Sequence, residues 1–382
     1  MQIYLDHNAT TAVRPEVIAA MSSAMSETGN PSSVHHHGQT GRRRVENARR
    51  AIGKALCVRA EDVVFTSCGT EALNLALASM ANAGCNRLLI SSIEHSAVAD
   101  TARATGSAVE EIPVLPSGLV DLDWLRQRLS VWDVETDGAP GVALMMANNE
   151  TGVIQPVAEA ADLIRQAGGR LLVDAIQAVG KIPVDFAAIG CDYMAISAHK
   201  FGGPQGVGAL LAACDAPLTR TQHGGGQEQG RRSGTLNVAG IAGLGAALEL
   251  AVAELEPFAA LADWRDEIET ALQGAATGSS VLGHSAPRLP NTLSIATPNW
   301  RGETQVMALD LAGVSISAGA ACSSGKAKGS KVGAAMGLDP DLAQGVVRIS
   351  LGWNTTRDEV DAVIKAWTEN YARVAQQVKV NA

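Results

Sequence analysis

The sequence is poor in aromatic residues, in paired cysteines and in long apolar runs. Aromatics make up only 3% of the 382 residues, whereas glycine alone supplies 39. So little ring area excludes an aromatic-cored β-sandwich, and the surplus of Ala and Gly suits helices packed closely on a sheet. The six cysteines, Cys57, Cys68, Cys85, Cys191, Cys214 and Cys322, contain no Cys-x-x-Cys pair. A chain of this length buries a core that needs no disulfide framework, so most of these thiols should be idle. No apolar run reaches the roughly 18–20 residues that span a bilayer. The nearest, 241–252, is interrupted by Glu249. Positive charge is also scarce: the formal net charge is -9, which excludes a chain built to hold nucleic acid or an anionic membrane. The basic run 42–44 lies on a helical pattern beside Glu46 and reads as a solvated face. Residues 1–6 carry neither a basic nor an apolar signal region, and the expected location is the cytoplasm.

What is present is alternation. Pro15 stands at a first helical position, followed by Val17, Ile18, Met21 and Met25 at helical spacing. A second helix reads from about 39 to 56, and Thr70-Glu71 opens a third. Short, continuously apolar runs follow at 88–90, 142–146, 171–173, 193–196 and 207–211, several separated by helical patterns such as 157–166. Short apolar strands between helices predict an α/β fold with a mostly parallel sheet covered on both faces. Polar residues collect just after those runs, at 148–150, at Asp174 and at 197–200. In an open α/β sheet the ligand crevice lies outside the carboxyl ends of the strands, so the chemistry is expected there. A helical stretch from 238 to 256 stops before Pro257, after which helices lengthen and strands thin out. A domain boundary is placed there. His35-His36-His37 is internal and weak as a metal site, and no metal is expected.

Ser197-Ala198-His199-Lys200 follows the run 193–196 and precedes Gly202-Gly203-Pro204. A lone lysine there would be a surface residue at a turn. Asp174 and Gln177 upstream change that reading, because pyridoxal phosphate (PLP) chemistry needs a lysine to bond the cofactor aldehyde and a carboxylate to keep its ring nitrogen protonated. The phosphate of such a cofactor needs backbone N–H groups at a helix start together with hydroxyl or imidazole donors. Gly69-Thr70-Glu71 has that form, although alone it is an ordinary helix start. Ser197 and His199 add donors beside Lys200. His95 suits the face of an aromatic ring, and alone it is a hydrogen-bonded loop histidine.

Taken together, 4–11 (Tyr-Leu-Asp-His-Asn-Ala-Thr-Thr), 29–33 (Gly-Asn-Pro-Ser-Ser), Glu94-His95, 148–152 (Asn-Asn-Glu-Thr-Gly), 174–177, 197–200, 232–235 (Arg-Ser-Gly-Thr) and 348–352 (Arg-Ile-Ser-Leu-Gly) resemble the cysteine desulfurases. These belong to the class V aminotransferase group of fold-type I PLP enzymes. The resemblance runs from Tyr4 to about Trp367. It implies a large PLP-binding domain over 13–256 and a smaller α+β domain formed by 1–12 with 257–382. It also implies roles. Lys200 bonds PLP, Asp174 meets the ring nitrogen, Gln177 the phenolic oxygen, and His95 stacks on the ring and moves protons at the substrate. Gly69, Thr70, Ser197 and His199 hold the phosphate, helped by Thr235 from the second subunit of a homodimer. Asn149 and Arg348 face the carboxylate of L-cysteine, a task for which a planar guanidinium is well shaped.

Cys322 lies in a run of small residues from Ser317 to Gly325, followed by Lys326, Lys328, Gly329 and Ser330. A structural cysteine more often sits in an apolar strand or helix, whereas a Gly/Ser/Lys-rich segment suits a thiol that must travel and ionise. The segment resembles the longer loop of the nitrogen-fixation and iron–sulfur-cluster type of desulfurase. The implied product is a persulfide on Cys322, passed to a sulfur acceptor such as an iron–sulfur scaffold protein. Ala12, Cys68, Ala320 and Gly329 depart from the usual family residues without removing a catalytic group. Two other readings stand beside this one. The nearer is a selenocysteine lyase or an aminotransferase, although transamination needs no protein thiol. The other is a catalytically weak binding subunit, which would not need Lys200, Asp174, His95, Arg348 and Cys322 together.

Overall fold

We describe residues 2–319 and 329–381 of a computed structural model. A two-residue strand, β1 (Ile3–Tyr4), is followed by helices α1 (Pro15–Met25) and α2 (His36–Ala55). Pro15 occupies the first turn of α1, where its missing N–H has no intrahelical partner to lose. His35 caps α2 by accepting the Gly38 N–H at its Nδ1, which gives the histidine run an ordinary structural use.

The five expected apolar runs lie in a seven-stranded sheet, which also holds two strands, 63–66 and 108–112, that were not expected from sequence. Its strands are β2 (Val63–Thr66), β3 (Arg87–Ser91), β4 (Ala108–Ile112), β5 (Gly141–Met145), β6 (Arg170–Asp174), β7 (Tyr193–Ser197) and β8 (Gly208–Ala212). They lie in the order β2-β8-β7-β6-β5-β3-β4. The pairings among β3 to β7 are parallel, whereas β8 runs antiparallel to both β2 and β7. Strands β2, β3, β5, β6 and β7 therefore point the same way, and their carboxyl ends share one rim. Strands β5, β7 and β8 are buried over every residue, because helices cover both faces of the sheet. Helix α3 (Gly69–Asn82) lies across one face with Leu73, Leu75, Leu77 and Met80 buried, and α4 (Ser96–Ala104) follows β3.

The apolar stretch near residue 240 forms the helix Val238–Ala253, packed on α1 and α2. A Cβ at Gly245 would stand 2.9 Å from Ala48 Cα, so only glycine lets these helices approach so closely. This helix stops at Ala253, short of the expected end at residue 256. Pro257 is not a terminator but belongs to the next short helix, Leu255–Ala259. Proline is tolerated there because first-turn N–H groups have no helical acceptor. Among the described residues no single helix is long and apolar enough to cross a membrane.

The C-terminal part is richer in strands than its sequence suggests. Strands β9 (Ser280–Val281), β10 (Thr292–Ala296), β11 (Val314–Ser315), β12 (Ser317–Ala318) and β13 (Val346–Ser350) form two small sheets. One is antiparallel, in the order β12-β13-β10-β9; in the other, β1 pairs in parallel with β11. Leu5 joins Leu293, Ile295, Ile349, Leu351 and Trp367 in the apolar core of this part. The N-terminal segment thereby crosses from the small sheets to the rim of the large one.

Candidate active site

The shared rim opens into a cavity of about 350 Å³ lined by residues from every element that points there. The sheet order reverses between β3 and β5, the kind of switch point at which α/β sheets bind ligands. Glu94-His95 follows β3, Asn149 follows β5, Asp174 ends β6, and Ser197, His199 and Lys200 lie at the end of β7. Asn8 and Ala9 cover the cavity from one side and Arg348 on β13 from another. Of the residues expected from sequence, Gly69, Thr70, His95, Asn149, Asp174, Gln177, Ser197, His199, Lys200 and Arg348 all line this one space. Thr235 does not. It is exposed, and the segment before it is tied to the first turn of α3 through Arg232, whose guanidinium grips Glu71 at 2.7 and 3.1 Å. Cys322 lies outside the described residues.

Asp174 lines the cavity, and a second carboxylic acid, Glu94, stands near enough to feel its charge. Asp174 Oδ1 accepts the Ile176 N–H at 3.0 Å. Burial pushes the Asp174 carboxyl up to about 6, against the opposing pull of that hydrogen bond and of Lys200. Such a group favours a proton-bearing cationic partner. Glu94 Oε1 accepts the Met145 N–H at 2.7 Å, while its buried Oε2 finds no hydrogen-bond partner among the described residues. Burial, and then the neighbouring Asp174 charge, push Glu94 well above the carboxylate range.

Cationic and imidazole groups occupy the other walls. Lys200 Nζ donates to the carbonyls of Asn8 and Ala9, each at 2.7 Å. His95 caps α4 by accepting the Ala97 N–H at Nδ1. Burial and the Lys200 charge lower its pKa, and the neutral ring then carries its proton on Nε2. His199 is held down to about 4 by burial and by Lys200 and Lys181, with its Nδ1 3.2 Å from Thr10 Oγ1. Arg348, 4% exposed, gives one hydrogen bond to Asn149 O and one to Asp6 Oδ1, at 2.8 and 2.6 Å. A guanidinium has five N–H donors. The Arg348 Nε finds no partner among the described residues, so the fork keeps capacity for an anion.

The entrance of α3 completes the site. Its N-cap, Cys68, makes no side-chain capping bond, so the positive end of a 14-residue helix faces the cavity uncapped by its own side chain. A Cβ on Gly69 would lie 2.3 Å from Ile176 Cδ1 and 3.3 Å from Ser197 Cβ, so a larger residue here would require the Ile176 side chain to shift. A helix N-terminus flanked by hydroxyl and imidazole groups is suited to a phosphate. The donor set as a whole fits a flat, anionic cofactor with a basic ring nitrogen at the Asp174 end.

Sequence reasoning assigned no role to several groups that the structure brings here. Asp6, Asn8 and Glu94 stood inside recognised motifs. Lys181 carried one weak signal, its position four residues after Gln177, and it proves to be 3% exposed.

Comparison with known proteins identifies the family. The family described as aminotransferase class-V matches residues 3–363. A cysteine desulfurase (IscS) of Dictyoglomus turgidum is 37% identical, over 94% of this chain and 92% of that protein. A cysteine desulfurase of Cereibacter sphaeroides is 40% identical, over 95% of this chain and 94% of its own length. Among solved structures, a NifS-like protein from Rickettsia africae superposes with a TM-score of 0.90 at 33% identity, covering 97% of this chain and all of that one.

Proposed function

Because the chain belongs to the class-V aminotransferase family and, within it, to the PLP-dependent cysteine desulfurases, we propose that the rim cavity is the desulfurase active site and assign its residues as follows. The observation that carries the assignment is the convergence of Asp174, Lys200, Arg348 and the α3 N-terminus on one cavity. Lys200 bonds PLP, Asp174 and Gln177 meet its ring nitrogen and phenolic oxygen, and His95 lies on the ring. Gly69, Thr70, Ser197 and His199 hold its phosphate. Bound PLP supplies an electron sink that weakens the Cα–H and C–S bonds of cysteine.

The chain's own groups do the rest. Arg348 and Asn149 hold the substrate carboxylate, which sets the direction of Cα–H and of the side-chain sulfur. Lys200 takes the Cα proton and later returns a proton to the carbon skeleton. Neutral His95 passes protons at the substrate amine and thiol through Nε2. The Cys322 thiolate attacks the substrate sulfur. An S–S bond forms as the C–S bond breaks, and the carbon skeleton takes up protons and leaves as alanine. Cys322 retains a persulfide for a protein acceptor, which we assign to iron–sulfur cluster assembly.

The site assignment predicts where borohydride fixes the cofactor. Reduction of the holoenzyme should place PLP on the Lys200 peptide in mass spectrometry, with the visible absorbance lost. Modification of Lys181 or Lys326 instead would refute the assignment.

We further propose a homodimer in which Thr235 serves the partner's site, because Thr235 is exposed and outside its own chain's cavity. Lys200→Ala and Thr235→Val, each inactive or impaired alone, should partly restore activity when subunits are mixed and exchanged. At most about a quarter of the sites then combine two intact contributions if exchange is random. Undiminished activity of a stable monomer would count against shared sites.

A further inference from the structure

Gln177 lines the cavity, yet an amide can present either of two ends, oxygen or nitrogen, to a ligand. The structure contains a group that removes this ambiguity. Lys181 lies four residues further along the same turn, with its ammonium stem buried beneath the cavity. Its Nζ is 2.6 Å from Gln177 Oε1 and 2.8 Å from Asn8 Oδ1. Lysine nitrogen at this position is a donor in both contacts, so the amide oxygen of Gln177 must be the end that faces it. The amide nitrogen is turned the other way, giving one N–H to Asn8 O at 2.9 Å. The same Asn8 carbonyl accepts from Lys200 Nζ, and Asn291 Nδ2 braces Asn8 Oδ1 at 3.1 Å. Asn8 is thus a fixed post to which Gln177, Lys181 and Lys200 are all tied.

We propose that Lys181 is a positioning residue: it locks the Gln177 amide so that an N–H, never the carbonyl, is offered to the electron-rich oxygen of the bound cofactor. The proposal rests on the reading that Gln177 meets the PLP phenolic oxygen. A carbonyl turned toward that oxygen would repel it, whereas an N–H stabilises its anionic form. Burial also lowers the Lys181 pKa well below that of a free lysine.

The test is a double-mutant cycle read by the visible absorbance of the substrate-free holoenzyme across pH, with Lys181→Met, Gln177→Leu and the double variant. Gln177→Leu is expected to move the midpoint of the cofactor's spectral transition by roughly one pH unit, the size of a charge-assisted hydrogen bond. Lys181→Met should move it in the same direction, and the double variant no further than Gln177→Leu alone. Lys181→Gln, which keeps an amide donor, should restore much of the wild-type midpoint. If the methionine variant does not take up PLP, Lys181→Ala, which likewise lacks a donor, takes its place and the same comparison decides. A shift that persists when Gln177 is already leucine would mean that Lys181 acts on the cofactor directly, and an unmoved midpoint in Lys181→Met would mean that it does not act at all. Either outcome overturns the proposal. A Gln177→Leu variant that titrates like wild type would instead refute the phenolic contact on which the proposal rests.

Discussion

Cys322→Ala is expected to fold, to bind PLP and to change its visible spectrum when cysteine is added, yet to release sulfide more slowly by on the order of a thousandfold. The assigned cofactor contacts, Lys200, Asp174, Gln177 and His95, are unchanged in this variant. Only the group that takes the substrate sulfur is removed. The structure adds a rival that must be watched. Cys68 lines the cavity at the mouth of α3, whereas Cys85 and Cys191 are buried and Cys57 and Cys214 lie on the surface. Burial raises the Cys85 thiol to about 11, and Cys191 is pushed higher still, so neither supplies a thiolate at neutral pH. Wild-type enzyme given sulfur-labelled cysteine should carry persulfide label on Cys322 and none on Cys68. Normal sulfide release by Cys322→Ala would mean that sulfur leaves by simple elimination, and label on Cys68 would move the acceptor to the helix entrance.

Asp174→Asn is expected to separate stability from catalysis. A carboxylate whose pKa is higher in the folded chain than in the unfolded one costs stability above the folded value. That cost disappears below the unfolded value. For Asp174 the two values are about 6 and 3.8. The penalty in the cofactor-free protein is therefore full above about pH 6 and fades as the pH falls toward 4, with an upper size of about 3 kcal/mol. Asparagine can still accept the Ile176 N–H through its oxygen but carries no charge. Cofactor-free Asp174→Asn should accordingly melt a few degrees higher than wild type at pH 7.5, and the difference should shrink at pH 4.5. The same variant should lose turnover by at least roughly a hundredfold, because no anion remains to hold a proton on the ring nitrogen. Calorimetry of the two proteins across pH, beside a sulfide assay, checks both halves. Equal melting at every pH would show that Asp174 carries no buried charge, and retained turnover would detach it from the cofactor.

These expectations also show where the sequence is legible. Five strands of the large sheet can be read because each holds a short apolar run, and such a run has few alternatives in a covered sheet; edge strand β4, with Glu110 and Glu111, gives no such signal. Strands β10 and β13 escape that logic. Thr292, Ser294, Arg348 and Ser350 interrupt their apolar residues, yet all are buried. Asn8 accounts for Thr292, Asp6 for Arg348 and the Asn8 N–H for Ser350. Each of these partners lies more than 280 residues away in the chain, so no local pattern signals that these three residues find partners, and Ser294 Oγ has none among the described residues. The misplaced helix end at Pro257 has a local cause. Proline ends a helix only when it falls beyond the first turn, and from sequence alone it could not be known that a new helix starts at Leu255.

The sequence by itself determined the α/β class, the ends of five strands and ten of the eighteen residues that line the cavity. These follow from local periodicity and from motifs that are each contiguous in the chain. Tertiary structure decided how those motifs act on one another. The sheet order joins the ends of β2, β3, β5, β6 and β7 on one rim. The crossing N-terminal segment makes Asn8 a common acceptor for two lysines and a glutamine. Burial then turns ordinary side chains into a carboxyl titrating near 6, a glutamic acid raised above its usual range and imidazoles lowered below their usual pKa. Protonation and amide orientation are set by desolvation and by partners brought from distant parts of the chain, and neither is written in the residues themselves.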